Sequence, residues 1–347
     1  MAEFIVPRLE QLKSQGEARA LLDKILAQKT VQSMLWTGPE GCGKKTHALG
    51  LARSLFCLQG PGCGGCAACK QVLSRTHPDF FWLTREEGKN EITVEVAREL
   101  EKKLGNAPLS APLKIAVVAE ADRMNRDAQN AFLKTLEEPP AKTLVILLAE
   151  RLASFLPTVL SRCRPVRFGA LGVGTVESIL AQTYGWDKNQ ARQAAEKSLG
   201  NLSLALKFAD PSWAQFVAKV QTDFDRALAG GDGDWLQVAE QYERMEPEFF
   251  DEEPWTAAQR KAEVAKAALK AYAGLWGRRL EKIEPIPSTL QGLPPEEALK
   301  SIQKHLDILP AYLSARMVLD HLFLELREGF QKGGIFQASF SDEIAQI

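Results

Sequence analysis

The chain has no long apolar run, almost no net charge and no internal repeat. No segment approaches the roughly 18 apolar residues that a membrane span needs. The strongest runs, Ile115 to Ala119 and Leu144 to Ala149, are only strand-sized. The first residues, Met-Ala-Glu-Phe-Ile-Val-Pro-Arg, lack the basic start and apolar stretch of a secretory signal. A cytoplasmic, reducing location without a membrane partner is therefore expected. A net charge of −1 over 347 residues argues against a strongly basic nucleic-acid binder, though local basic patches remain open. Low-complexity tracts are missing too, and the length suits two or three domains with a sizeable core.

What is present begins with a glycine loop that lacks one residue type. Residues 38–46 read Gly-Pro-Glu-Gly-Cys-Gly-Lys-Lys-Thr. The phosphate-loop pattern G-x-x-x-x-G-K-[ST] needs a hydroxyl directly after its lysine, to hold magnesium. Gly38, Gly43 and Lys44 are in register, but the hydroxyl position is Lys45 and Thr46 comes one residue late. One residue turns a helix by about 100°, so Thr46 is expected to face away from the metal position. The amides of residues 39–44, with Gly41 and the Lys44 ammonium, could still cradle phosphates. Binding of ATP or ADP stays open.

The context is strand, glycine loop, helix. Residues 8–30 carry helical periodicity through Leu9, Leu12, Leu21, Leu22, Ile25 and Leu26, Val31 to Thr37 is a short apolar run, and His47 to Cys57 continues as a helix. Strands are expected at Phe80 to Leu83, Lys114 to Ala119 and Leu144 to Ala149. Helices are expected at Val94 to Leu104 and Asp127 to Glu138, the latter stopped by Pro139-Pro140, with a helical turn at Leu156 to Leu160. Such alternation predicts an α/β domain with a parallel sheet covered on both faces. From about Phe168 the pattern becomes almost wholly helical. Expected domains are 1–168 (α/β, with the cysteine module at 57–69), 169–210 (a small helical lid), 211–335 (an all-α domain) and a tail at 336–347.

Cys57, Cys63, Cys66 and Cys69 form C-x5-C-x2-C-x2-C. Two C-x2-C steps present thiolates to one tetrahedral ion, and Cys57 closes the set, which suits a structural zinc site without an open position. Two disulfides, free thiols or an iron–sulfur cluster are the rivals; a reducing compartment favours the metal. Cys42 and Cys163 fall outside the cluster, and Cys42 reads as a small loop residue.

A phosphate-loop enzyme also needs a carboxylate at a neighbouring strand end to hold magnesium, and often a glutamate beside it to activate water. The strand Ile115 to Ala119 ends in Glu120-Ala121-Asp122. Glu120 takes the metal position, but the water-activating position is Ala121, which cannot accept a proton. Losing a general base costs about 10²–10⁴ in rate. Lys45 and Ala121 together suggest a site that has lost hydrolysis.

With these residues in view, the chain closely resembles bacterial DNA polymerase III clamp-loader subunits of the AAA+ class. The likeness rests on the loop at 38–46, the four cysteines, Thr76-His77-Pro78-Asp79, the run Asn130-Ala131-Phe132-Leu133-Lys134-Thr135-Leu136-Glu137-Glu138-Pro139-Pro140, and Ser161-Arg162-Cys163. It is strong over about the first 165 residues and weak beyond. The resemblance implies an AAA+ domain, a lid and a helical collar. It divides active motors of the gamma and tau type from the degraded delta-prime type. This chain departs from the motors at Lys45, Glu120 and Ala121, at Glu150 where they carry a threonine, and at Ser203 where the lid usually offers an arginine. Every departure favours delta-prime. The resemblance further implies that Arg162 reaches a neighbouring subunit's nucleotide site, that gamma/tau and delta subunits are partners, and that the sliding clamp and primer-template DNA are handled within the complex. The rivals are an active gamma/tau-type ATPase with Thr46 in the metal role, and a nucleotide-sensing AAA+ protein outside replication.

Four further features have plain structural readings. Lys134, on the helix after Glu120, could face duplex DNA or simply solvent. His77 reads as a packing residue. Trp213, Trp235, Trp255 and Trp276 are expected in the core or at subunit contacts, and Leu313, Met317, Leu319, Leu322, Phe323 and Leu326 on a buried helix face.

Overall fold

The computed structural model describes residues 15–28, 33–85, 91–198, 200–229, 234–245, 257–280, 295–308 and 315–331, with 89, 286, 290 and 294. The chain divides into two compact units, Met1–Leu206 and Lys207–Ile347.

In the first unit, β1 (Ser33–Thr37), β3 (Lys114–Val118) and β4 (Thr143–Ala149) are buried along their whole length. Strands covered on both faces must be apolar on both, which explains why they read as unbroken runs instead of alternating ones. With β2 (Phe80–Leu83) and β5 (Arg164–Arg167) they form one sheet of order β2-β3-β4-β1-β5. Every pairing is parallel; Leu35, for example, lies opposite Leu147 on one side and Pro165 on the other.

Successive side chains feed two cores. Met34, Trp36, Ile115, Val117, Ile146 and Leu148 pack with α1 (Gly16–Gln28) and α2 (Lys44–Phe56). Leu35, Ala116, Val118, Val145 and Leu147 pack with α4 (Val94–Leu104) and α5 (Arg126–Glu137). The first helix buries Ala18, Leu22 and Ile25, spaced by four and three residues as one helical face requires. Its expected N-terminal extension, with Leu9 and Leu12, lies outside the described residues. On α5, Phe132 and Leu136 are buried as expected, while Ala131 and Leu133 are only partly so.

Two elements were not expected from the sequence. One is β5, Arg-Pro-Val-Arg, where only Val166 is buried. An edge strand gives up apolar content and tolerates proline, so its pattern is hidden. The other is α3 (Ala67–Leu73), a short helix inside the cysteine-rich insert. The turn expected after Leu156 is α6 (Pro157–Leu160). Three helices complete the unit: α7 (Val173–Thr183), α8 (Lys188–Ser198) and α9 (Leu202–Lys207), the last ending at the division between the units.

The described part of the second unit is helical: α10 (Pro211–Ala229), α11 (Asp234–Arg244), α12 (Ala257–Leu280), α13 (Pro295–Ile308) and α14 (Ala315–Gln331). Trp213 and Trp276 are in its core, Trp235 is half-buried, and Trp255 lies outside the described residues. The expected α14 face holds for Leu319, Leu322, Phe323 and Leu326. Met317 is a correction: it is 60% exposed. It sits two residues before Leu319, which on a helix is about 200° around the axis. Leu313 lies outside the described residues.

Candidate functional site

Because all five strands are parallel, the segments leaving β1, β3 and β4 emerge on one edge of the sheet, where ligands bind in open α/β folds. The glycine loop leaves β1, Glu120 leaves β3, and Glu150 leaves β4, which lies between them.

The loop is tightly braced. Gly43 stands at the N-cap of α2 with φ 96°, a left-handed conformation that favours glycine. Gly41 has φ 73°, and a Cβ there would come 1.9 Å from Asn201 Oδ1. Asn201 precedes α9, where its side chain accepts from the Leu204 amide at 3.0 Å, and the Leu202 amide donates to the Gly41 carbonyl at 3.2 Å. The start of α9 therefore sits on the glycine loop. Gln15 braces it from the other side. Its Nε2 donates to the carbonyls of Cys42 (3.2 Å) and Gly169 (2.8 Å), and its Oε1 accepts from the Gly169 amide.

Lys44 is buried and turned into its own loop, donating to the carbonyls of Gly38 at 2.6 Å and Pro39 at 2.8 Å. Cys42 is buried beside it. Burial pushes its thiol pKa up against the pull of the Lys44 ammonium, which suits an inert loop residue.

At the neighbouring strand end, Glu120 is flanked by two cations. Lys45 Nζ lies 3.8 Å from Oε1, and Arg85 Nε donates to Oε2 at 3.1 Å. A lysine thus occupies the hydroxyl position and faces the carboxylate that the motif would reserve for magnesium. Ala121 is fully buried in the core beneath. Asp122, the next carboxylate, pairs instead with Arg151 at 3.8 Å. The sequence alone singled out neither Gln15, Arg85 nor Asn201. Each comes from a segment remote in the chain, and no local pattern could have found them.

Arg162 follows α6. Its Nε donates to Glu137 Oε2 at 2.8 Å and its Nη1 to the Thr158 carbonyl at 3.0 Å, with about a third of the side chain exposed. Gln129 fixes the segment leading into α6. Its Nε2 donates to the carbonyls of Met124 and Ser154, both at 2.9 Å, and its Oε1 accepts from the Leu156 amide at 2.8 Å. Cys163 is buried, and desolvation pushes its thiol up to about 12. Lys134 is exposed on α5.

The four cysteines come together. Cys57 ends α2, Cys66 caps α3, and Cys69 is wholly buried one turn into α3. Their sulfurs lie within 4.8 Å of one another. Cys57 and Cys66 Sγ are 3.8 Å apart, about the edge of a sulfur tetrahedron around zinc with bonds of about 2.3 Å. Backbone amides already point at the sulfurs: Cys63 N donates to Cys57 Sγ and Cys66 N to Cys63 Sγ, both at 3.4 Å. Burial opposes ionisation of Cys57, but the amides of Cys63 and Gln59 and the neighbouring thiols hold it down to about 6. Such a group can hold a metal ion. Arg53, near the end of α2, donates to the Gly62 carbonyl at 2.9 Å and anchors the loop. His77 is not a member of the group; its ring packs on Phe56 with centroids 4.5 Å apart.

The parallel sheet, its glycine loop and the carboxylate at the next strand end define a phosphate-loop-like α/β domain, followed by a largely helical region. Residues 14–172 match the family model described as DNA polymerase III, delta subunit. Over 166 residues the chain is 31% identical to DNA polymerase III subunit delta' of Bacillus subtilis, covering 47% of this chain and 50% of that one. It is 39% identical over 127 residues to the delta' subunit of Escherichia coli, covering 36% and 38%. It is 33% identical over 150 residues to the gamma/tau subunit of Mycobacterium tuberculosis, covering 43% and 26%. Residues 14–172, a little under half of the chain, are thus similar to delta-prime-type clamp-loader subunits and to gamma/tau subunits. The matches span half or less of the length of those relatives.

Proposed function

We propose that the chain is a hydrolytically silent, delta-prime-type subunit of the DNA polymerase III clamp loader. It acts as a stator in a ring with gamma/tau and delta subunits, and donates Arg162 to the ATPase site of a neighbour. The observation that carries this reading is the occupation of the magnesium position. Both oxygens of Glu120 face cations, Lys45 and Arg85, and the expected general-base position is the buried Ala121. A carboxylate neutralised in this way has little attraction left for a divalent ion. Lys44, bonded to its own loop, and Asn201, seated on Gly41, further support a loop that takes nucleotide poorly or not at all.

Arg162 keeps the property that a donor in trans requires. Its planar cation is held at the surface by an acceptor pair that a partner's phosphates could outcompete. Arginines supplied to transferring phosphoryl groups are worth about 10³–10⁵ in rate. The ion bound by Cys57, Cys63, Cys66 and Cys69 is read as structural zinc, since four thiolates leave no open position. The first 168 residues then form the AAA+ domain, 169–210 the lid and 211–335 the collar. The complex places the sliding clamp on primer-template DNA in the cytoplasm.

The test is magnesium-dependent ATP hydrolysis by the purified chain, alone and mixed with the gamma/tau and delta subunits, comparing wild type with Arg162→Ala. Silence alone, with partner turnover that depends on Arg162, is expected. Robust hydrolysis by the isolated chain would make it a motor and overturn the reading.

A further inference from the structure

The helical unit holds a second group of metal-ligating side chains, where α13 packs on α14. His321 and Glu325 lie four residues apart on one face of α14, and His305 meets them from α13. We propose that His305, His321 and Glu325 form a transition-metal site, best suited to zinc, that clips α13 to α14.

The orientation of His305 is the first argument. Its Nδ1 lies 2.8 Å from the Ser301 carbonyl. A carbonyl can only accept, so the ring carries its proton on Nδ1 and directs the Nε2 lone pair toward the cluster. Fixing a ligand imidazole by a backbone carbonyl on its far nitrogen is how metal-bound histidines are commonly held. His305 is almost fully buried, so this orientation is locked by packing as well.

Distances are the second argument. His305 Nε2 lies 2.8 Å from His321 Nδ1, and Glu325 Oε2 lies 3.9 Å and 3.8 Å from those two nitrogens. Ligand atoms around a tetrahedral ion with bonds of about 2.0–2.1 Å are about 3.4 Å apart. The mean edge of the observed triangle is therefore right. The ion requires only that the two rings part by about half an ångström while the carboxylate closes by as much. In the ion's absence His321 Nδ1–H donates to His305 Nε2; on binding that proton moves to His321 Nε2, which leaves both ligating nitrogens with a lone pair.

Chemistry selects the ion. Two imidazoles and one carboxylate suit zinc and its neighbours, whereas magnesium and calcium want oxygen shells. Three protein ligands leave the fourth position to water, and His321 and Glu325 are each only partly covered, so an ion has access. Lys304 is the built-in competitor. Its ammonium lies 3.2 Å from the same Glu325 oxygen and must yield when the ion enters.

The experiment uses the full-length chain, stripped with a chelator and reloaded with Zn²⁺, comparing wild type with His321→Gln and Glu325→Gln. Reading the difference between chains keeps the result independent of the cysteine site. Wild type is expected to retain one zinc more than either variant, and zinc should raise its melting temperature further than theirs. Cobalt at the added site should show d–d absorption without thiolate charge transfer. Lys304→Ala should tighten the extra equivalent. Near-UV circular dichroism confirms that the variants fold. Equal zinc content in wild type and both variants would overturn the proposal and leave the two histidines as a hydrogen-bonded tie.

Discussion

At the scale of the residue, the loop from 38 to 45 shows how one substitution changes what a motif can do. Lysine at 45 removes a hydroxyl and also supplies a charge 3.8 Å from Glu120. Restoring the hydroxyl alone, as Lys45→Thr, is expected to leave ATP turnover undetectable, because Ala121, Glu150 and Ser203 remain; steady-state hydrolysis by that variant checks this. Gly41 is the most constrained position. Gly41→Ala combines φ 73° with a Cβ driven into Asn201, and is expected to destabilise the first unit by about 1–3 kcal/mol in urea unfolding. Pairing it with Asn201→Ala should recover only part of that loss, since the backbone strain stays.

Asp79 gives a pH prediction. Burial alone would raise its pKa, but the amides of Leu109, Ser110 and Ala111 and the Ser110 hydroxyl outweigh burial and lower it. A lowered folded-state pKa stabilises the fold above the unfolded value of about 3.9, and that stability drains away as pH falls through the folded value. Asp79→Asn should therefore cost stability at pH 7 and little at pH 2, as denaturant midpoints at the two pH values would show.

At the scale of the element, the segment carrying Arg162 depends on a side chain in another helix. Gln129 on α5 makes three hydrogen bonds to the backbone around 124 and 154–156. Gln129→Ala leaves buried backbone groups without those partners, at about 1–3 kcal/mol each. It is expected to lower both the stability of the chain and the turnover of a partner ATPase. Arg162→Ala should lower turnover alone, because its exposed pair with Glu137 is worth about 1 kcal/mol or less. Measuring melting and partner-stimulated hydrolysis on both variants separates the two effects. The insert from Cys57 to Leu73 is an element of another kind. With little apolar content to fold around, it is held by Arg53 and, under the proposed zinc reading, by the ion its cysteines would share. Chelation should therefore raise amide exchange in α3 while β1 and β4 stay protected.

At the scale of the whole molecule, charge sets an expectation about DNA. A chain of net charge −1 has few counterions to gain by releasing them from a duplex. The isolated chain is expected to show no measurable affinity for primer-template DNA at physiological salt, by fluorescence anisotropy. Any contact through Lys134 would then need the assembled complex. Tight binding by the chain alone would contradict this.

The sequence by itself determined the sheet's inner strands, their covering helices, the glycine loop and the cysteine cluster. Each is a local pattern: an unbroken apolar run, a 3.6-residue periodicity, or a spacing of ligands along a few turns. It also showed lysine where the motif calls for a hydroxyl, and alanine where a general base was expected, because a residue type is visible wherever its position in a motif is known. Only the tertiary structure decided what surrounds those positions. Arg85 meets Glu120 across 35 residues of chain, Asn201 reaches Gly41 from the residue before α9, and Gln15 bridges Cys42 to Gly169. It also placed β5, whose charged edge hides its strand character, and brought His305 to His321 across two helices. Such pairings depend on where distant segments lie in space, and packing of the core settles that after the local patterns have formed.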